Sequence, residues 1–212
     1  MKTHSAELSK SPLLWLIVCL AIIAVLTAIG PAEKSLGVQV RVVYLHGVWV
    51  WAAMAAFLAA AAIGLAGLLR KHEGLHRWSR SLGRAGVVFW ITYLPISLWA
   101  MQTNWNGLFL AEPRWRLAVV FALGGLLLQI GVSLVEQPAW ASASNLLFLA
   151  ALFLALQNTQ NVMHPPAPIL NSDSLRIQFY FAALLMVTLI GVWQVARWWH
   201  RFEAISFPFP NR

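Results

Sequence analysis

Residues 117–156 read LAVVFALGGLLLQIGVSLVEQPAWASASNLLFLAALFLAL, and Glu136 is the one charged side chain among them. A transmembrane helix needs about 20 apolar residues, each rising about 1.5 Å, to cross roughly 30 Å of hydrocarbon. The break at Glu136, Gln137 and Pro138 divides the stretch into two such lengths. Proline has no amide hydrogen to give to a preceding turn, so Pro138 marks a tight hairpin between spans near 116–136 and 139–157.

The same scale, carried outward, predicts further spans near 12–30, 42–69, 84–103 and 175–196. The chain therefore reads as all-α, a single membrane domain over residues 1–212 with six transmembrane helices. Composition agrees, with 60% hydrophobic residues, 10% charged and a mean hydropathy of +0.70, where soluble domains carry roughly 25% charged residues. Lys2 and Lys10 before an apolar run suggest a cleaved signal peptide. That run exceeds the ~7–15 residues of a signal's apolar region, so it reads as a retained helix. Cys19 is the only cysteine, which excludes an intramolecular disulfide, a thiolate metal cage and a CxxCH heme attachment. A charge of +8 and a pI near 10.6 would suit nucleic acid only on a water-exposed basic face, and almost no soluble chain remains to carry one.

Lysine and arginine bias sets the expected orientation. With the N-terminus cytoplasmic, the inner side holds Lys2, Lys10, Arg70, Lys71, Arg77, Arg80, Arg84, Arg197, Arg201 and Arg212. The outer side holds Lys34, Arg41, Arg114, Arg116 and Arg176. The segment 70–84 decides the bias, because its cations resist translocation and suit anionic headgroups. Both termini are then cytoplasmic, and outer loops fall near 31–41, 104–115 and 158–174. Trp15, Trp78, Trp198 and Trp199 fit an inner interfacial belt, and Trp49, Trp51, Trp105 and Trp115 an outer one.

Topology also sorts the histidines. His4, His72, His76 and His200 fall in basic inner segments and read as solvated or facing headgroups. His46, at the start of the second span, and His164, in the loop before the sixth, share the outer side. Two neutral imidazoles at similar depth are what bis-histidine ligation of heme iron requires. Zinc fits less well, since it wants three or four protein ligands and only Glu33, Glu112 and Asp173 are near to complete the set. Tyr44, Trp49 and Trp51 flank His46, and Pro165, Pro166 and Pro168 stiffen the loop after His164. Arg41, Arg114, Arg116 and Arg176 are candidates for the two heme propionates. Between these histidines, the loop from Asn104 through Trp105, Gly107, Phe109, Glu112 and Arg114 to Trp115 offers aromatic and polar groups to a flat ligand.

Two segments carry a family resemblance: Arg41-Val42-Val43-Tyr44-Leu45-His46-Gly47-Val48-Trp49-Val50-Trp51 and Asn158-Thr159-Gln160-Asn161-Val162-Met163-His164-Pro165-Pro166. In order and topology the chain resembles the heme-handling cytochrome c assembly family, and within it the six-helix heme exporter protein C. The resemblance implies heme b at the outer face of a bacterial plasma membrane, with His46 and His164 as axial ligands. It also implies that the loop from Trp105 to Trp115 is the heme platform, with Glu112-Pro113-Arg114 at its acidic-x-arginine end. Trp105, Trp115, Gly107 and Phe109 make a sparser platform than that family's tryptophan-rich one.

The expected function is heme binding and delivery for cytochrome c maturation, without enzymatic bond chemistry of its own. Its partners would be the bilayer, other membrane subunits and a periplasmic heme chaperone or redox partner. One rival is a cytochrome b subunit that keeps its heme for electron transfer in a larger complex, and another is a heme-free membrane anchor. The sequence holds no nucleotide-binding loop, so ATP hydrolysis would have to come from a partner.

Overall fold

The computed structural model describes residues 11–135, 137–160, 169 and 171–206, with side chains to 202. Six helices follow one another: α1 Pro12–Ile29, α2 Val40–Arg70, α3 Glu73–Trp105, α4 Pro113–Leu134, α5 Pro138–Gln157 and α6 Leu175–Ser206. Each is long and apolar enough to cross a membrane, α6 over Leu175–Phe202. Local chemistry fixes several starts. Ser11 accepts from Leu14 N at the head of α1, and Pro12, Pro113 and Pro138 each open a helix, where a missing amide hydrogen costs nothing. Pro138 thus marks the α4–α5 hairpin as the sequence predicts, while Glu136 lies outside the described residues.

Two expected boundaries are corrected. The span expected at 84–103 begins at Glu73, so most of the basic segment 70–84 is helix, and only Lys71 and His72 connect α2 to α3. Lys71 closes α2 in the left-handed region at φ 51°, and His72 N returns to Gly67 O at 3.1 Å. Hydropathy missed these turns because their arginines interrupt the apolar run, yet arginine is a good helix former with an apolar stem. Likewise α6 runs on through Arg197, His200 and Arg201, past the expected end near 196. His76 is not solvated as its basic neighbours suggested: it is 6% exposed, with Nδ1 2.7 Å from Ser142 Oγ.

The antiparallel pair α2–α3 forms the centre of the bundle. On one side lie α5 and α4, and on the other α6, with α1 beyond it. Lipid tails are as apolar as leucine, so helices here associate by close packing and by hydrogen bonds rather than by hydrophobic burial. The buried stripe of α2 accordingly carries Ala52, Ala53, Ala56, Ala60, Ala61, Gly64 and Gly67. Phe57 fills the space over Gly86, and Ser79 and His76 approach Gly64 and Gly67. Polar groups join four helices at this level. Ser79 Oγ donates to Ala60 O at 2.7 Å, Asn145 Nδ2 donates to Ser79 O at 2.8 Å, and Gln129 Nε2 donates to Asn145 Oδ1 at 3.2 Å.

Alternating helix directions put the start of α1, the finish of α6, and the α2–α3 and α4–α5 connections at one end, called here the basic end. His46, Trp105, Glu112 and Arg114 all belong to the other.

Candidate functional site

His46 lies six residues into α2, about 9 Å from its first residue at 1.5 Å per residue. It is half-buried, and its ring centroid is 5.5 Å from that of Tyr93 on α3, with the planes tilted by 53°. Tyr93 is buried and packs edge-on against Trp90 at 5.1 Å. Trp90 Nε1 in turn donates to Ala118 O of α4 at 3.0 Å. An aromatic wall therefore runs from His46 across α3 to α4.

The residues expected beside His46 divide between two helix faces. Trp49, three residues on, also faces α3: its Nε1 donates to Thr92 Oγ1 at 3.0 Å and its ring lies 5.2 Å from Phe89. Trp49 is buried, which corrects its placing in an interfacial belt, whereas Trp51 is exposed. Tyr44, two residues before His46, is turned about 200° away. It packs at 5.3 Å against Tyr180 of α6, whose hydroxyl donates to Leu26 O of α1 at 2.8 Å. Tyr44 thus belongs to the α1–α2–α6 junction and not to the His46 face.

In the loop between α3 and α4, Trp105 ends α3 half-buried and Asn106 turns the chain at φ 53°. Leu108, Phe109 and Leu110 are exposed. Glu112 caps α4, accepting from Trp115 N at 2.6 Å, and stands within electrostatic reach of Tyr93. Trp115 is half-buried in the first turn of α4. Arg114 Nη2 reaches Leu156 O and Thr159 O, both at 3.4 Å, setting a cation at the C-terminus of α5 where the helix dipole favours one. Arg41 Nε donates to Gly30 O at 2.8 Å and Arg116 Nε to Leu110 O at 3.4 Å, while Arg176 is exposed on the first turn of α6.

His164 lies outside the described residues, but both of its flanks are placed. Thr159 sits at Arg114, on the α4–α5 side. Ile169 sits against α2: a Cβ built on Gly47 would stand 3.7 Å from Ile169 Cδ1 and 3.1 Å from Phe181 of α6. The described flanks of that segment therefore lie on the α4–α5 side of this end and against the residue next to His46. Sequence reading missed Tyr93, Thr92, Gly47 and Ile169 as neighbours of the site. Gly47 carried a signal, because glycine in a membrane helix often marks a close approach. Among the described residues, no three of His, Cys, Asp and Glu come together to hold a metal ion.

A small turn closes the same end between α1 and α2. The Glu33 carboxylate accepts from Ser35 N at 2.8 Å and Leu36 N at 3.0 Å, and Glu33 and Gly37 exchange backbone bonds, with Gly37 at φ 59°. The Leu36 and Ser35 amides hold the carboxyl below the usual carboxylate range. With the folded value depressed, the turn is fully supported above the ordinary carboxylate value and loses that support as pH falls through the folded one. Amide exchange at Ser35 and Leu36, corrected for intrinsic rates, should accelerate in that acid window, and Glu33→Gln should remove the pH dependence.

Compared with known proteins, the chain matches no family model, no curated protein and no solved structure.

Proposed function

We propose that this multi-pass membrane protein binds heme b between His46 and His164 and delivers it for cytochrome c maturation. The observation that carries the reading is the convergence on one end of the half-buried His46, the α3–α4 loop and both flanks of the segment containing His164. The donor chemistry fits the cofactor, because a macrocycle supplies four of the iron's ligands and asks only two imidazoles of the protein. Zinc asks for three or four, and the described residues at this end do not gather them. Tyr93 would wall the ring, and Arg41, Arg116 and Arg176, at the same end of the bundle, are the cations suited in type to propionates. When bound, heme supplies an exchangeable, redox-active iron. The chain would supply two imidazoles, an aromatic wall and a surface loop.

In this reading the basic end faces the cytoplasm of a bacterial plasma membrane and the His46 end faces outward. Single cysteines at Lys71 and Gly107, with Cys19 replaced, test that orientation. A membrane-impermeant thiol reagent applied to intact cells should label the Gly107 position and spare the Lys71 position. The reverse pattern would remove a periplasmic partner from the proposal.

One observation favours a second reading, a resident cytochrome b. Glu112 and Arg114 are used internally, as a helix cap and a tie to α5, which leaves Trp105 and the exposed Leu108, Phe109 and Leu110 as the surface an acceptor would meet. Trp105→Ala with Phe109→Ala separates the two readings without touching either histidine. Heme delivery to an apo-acceptor should fall while the bound-heme spectrum stays unchanged. A wild-type protein that never releases heme but cycles its iron with a redox partner would establish the cytochrome instead.

A further inference from the structure

Far from His46, the basic end gathers Arg77, Arg80 and Arg84 from α3 with Arg197, His200 and Arg201 from α6. Trp78 is inserted between Trp193 and His200, with ring centroids 4.8 and 4.1 Å apart and planes within 7° and 11° of parallel. This three-ring stack clamps α3 to α6 and brings Arg77 within electrostatic reach of His200. Arg84 lies 5.0 Å over the ring of Trp199 on α6 and donates from Nη2 to Ser133 Oγ on α4 at 2.9 Å. Arg84 thus reaches both α4 and α6 from one face of α3. Beyond Arg84 that side of α3 continues at helical spacing through Val88, Thr92, Pro95 and Trp99, all exposed.

Two of these arginines, Arg77 and Arg80, are positioned but carry nitrogens short of acceptors. Arg77 Nε, Arg80 Nη2, His200 Nδ1 and Trp199 Nε1 are covered by protein and meet no hydrogen-bond partner among the described residues. Both arginine side chains are only partly buried, which keeps the remainder of each within reach of a ligand. Buried polar nitrogens are normally paired, and a guanidinium at the edge of a low-dielectric region is stabilised by an anion beside it. A guanidinium's planar fork matches phosphate oxygens in particular. Depth identifies the source of the phosphate. At 33 residues α3 measures about 50 Å against roughly 30 Å of hydrocarbon, so its first turns stand among headgroups. The exposed stripe above Arg84 then lies at the depth of acyl chains.

We propose that the basic end holds a phosphate-binding site, centred on Arg77 and Arg80 beside His200, that takes the headgroup of an anionic phospholipid lying along α3 between α4 and α6. Neither the histidine pair nor the orientation of the chain enters this assignment.

Nanodiscs of phosphatidylcholine with a minor fraction of phosphatidylglycerol of matched chain length provide the test, read as lipids retained per protein by native mass spectrometry. The wild-type protein should retain phosphatidylglycerol over phosphatidylcholine. Arg77→Gln with Arg80→Gln should reduce that preference about tenfold or more, and Lys34→Gln at the opposite end should leave it unchanged. Arg77→Lys with Arg80→Lys keeps the charge but loses the fork, and should fall between the two. Absence of any preference in the wild type overturns the site without recourse to a variant, as does equal preference in wild type and the double glutamine variant. Displacement of the retained lipid by millimolar inorganic phosphate overturns the lipid assignment and gives the nitrogens to a soluble phosphate. Retention that resists inorganic phosphate supports the lipid.

Discussion

Replacing His46 by alanine should convert a six-coordinate, low-spin heme spectrum into a five-coordinate one and weaken heme retention by at least about tenfold, or ~1.4 kcal/mol. Replacing His46 and His164 together should leave no heme on the purified protein. The expectation rests on the place of His46: half-buried, a turn and a half inside the end of α2, against Tyr93. Removing the imidazole leaves the α2–α3 contacts made by Trp49, Phe57 and Ser79 in place, so helix content should not change. Exogenous imidazole separates a ligand from a packing residue. It should restore the six-coordinate spectrum of His46→Ala, and it has no means of repairing a purely structural loss. An unchanged spectrum in the double variant would end the assignment of both residues, and a wild-type protein that binds no heme would leave the membrane anchor as the better reading.

The same stretch of α2 shows what sequence could and could not convey. Span length and apolarity made all six helices legible, because the bilayer sets a length that composition must meet. Pro138 and Pro113 marked their helix starts for a purely local reason. The first turns of α3 were not legible. A hydropathy scan treats arginine as an end of span, whereas here Arg77, Arg80 and Arg84 continue a helix that outgrows the hydrocarbon. Within the site, sequence put Tyr44, His46 and Trp49 in one motif, but the 100° step of a helix sends Tyr44 towards α6 and the other two towards α3. Glu112 and Arg114 matched a platform motif by type, and the structure uses both at helix ends. Which neighbour a side chain meets depends on how the helices are assembled, and that information sits in partners such as Tyr93 and Ile169, about 50 and 120 residues further along the chain.

The largest effect on stability should come from a glycine far from the histidine. A Cβ on Gly64 would stand 2.7 Å from Ser79 Oγ and 3.1 Å from both Cα and Cβ of Ser142. The serine hydroxyl can rotate, but the Cα of Ser142 is backbone, so α5 itself must retreat from α2. Gly64→Leu therefore carries an overpacking cost of about 1–3 kcal/mol. It also displaces Ser79 Oγ, which donates to Ala60 O and accepts from Asn145 Nδ2, and each polar group left unpaired adds about 1–3 kcal/mol. A total of about 3 kcal/mol should lower the melting temperature in detergent by about 10 °C. Gly124 on α4 supplies the contrast, since a Cβ there meets nothing within 4 Å. Gly124→Leu gains helix propensity and extends into open space, so it should melt at or slightly above the wild-type temperature. Both variants add the same side chain to a membrane helix, and any difference between them isolates the close contact of α2 with α3 and α5. Equal melting temperatures for the two would mean that Gly64 does not face Ser79 and Ser142, and the polar joint of α2, α3, α4 and α5 would have to be placed elsewhere.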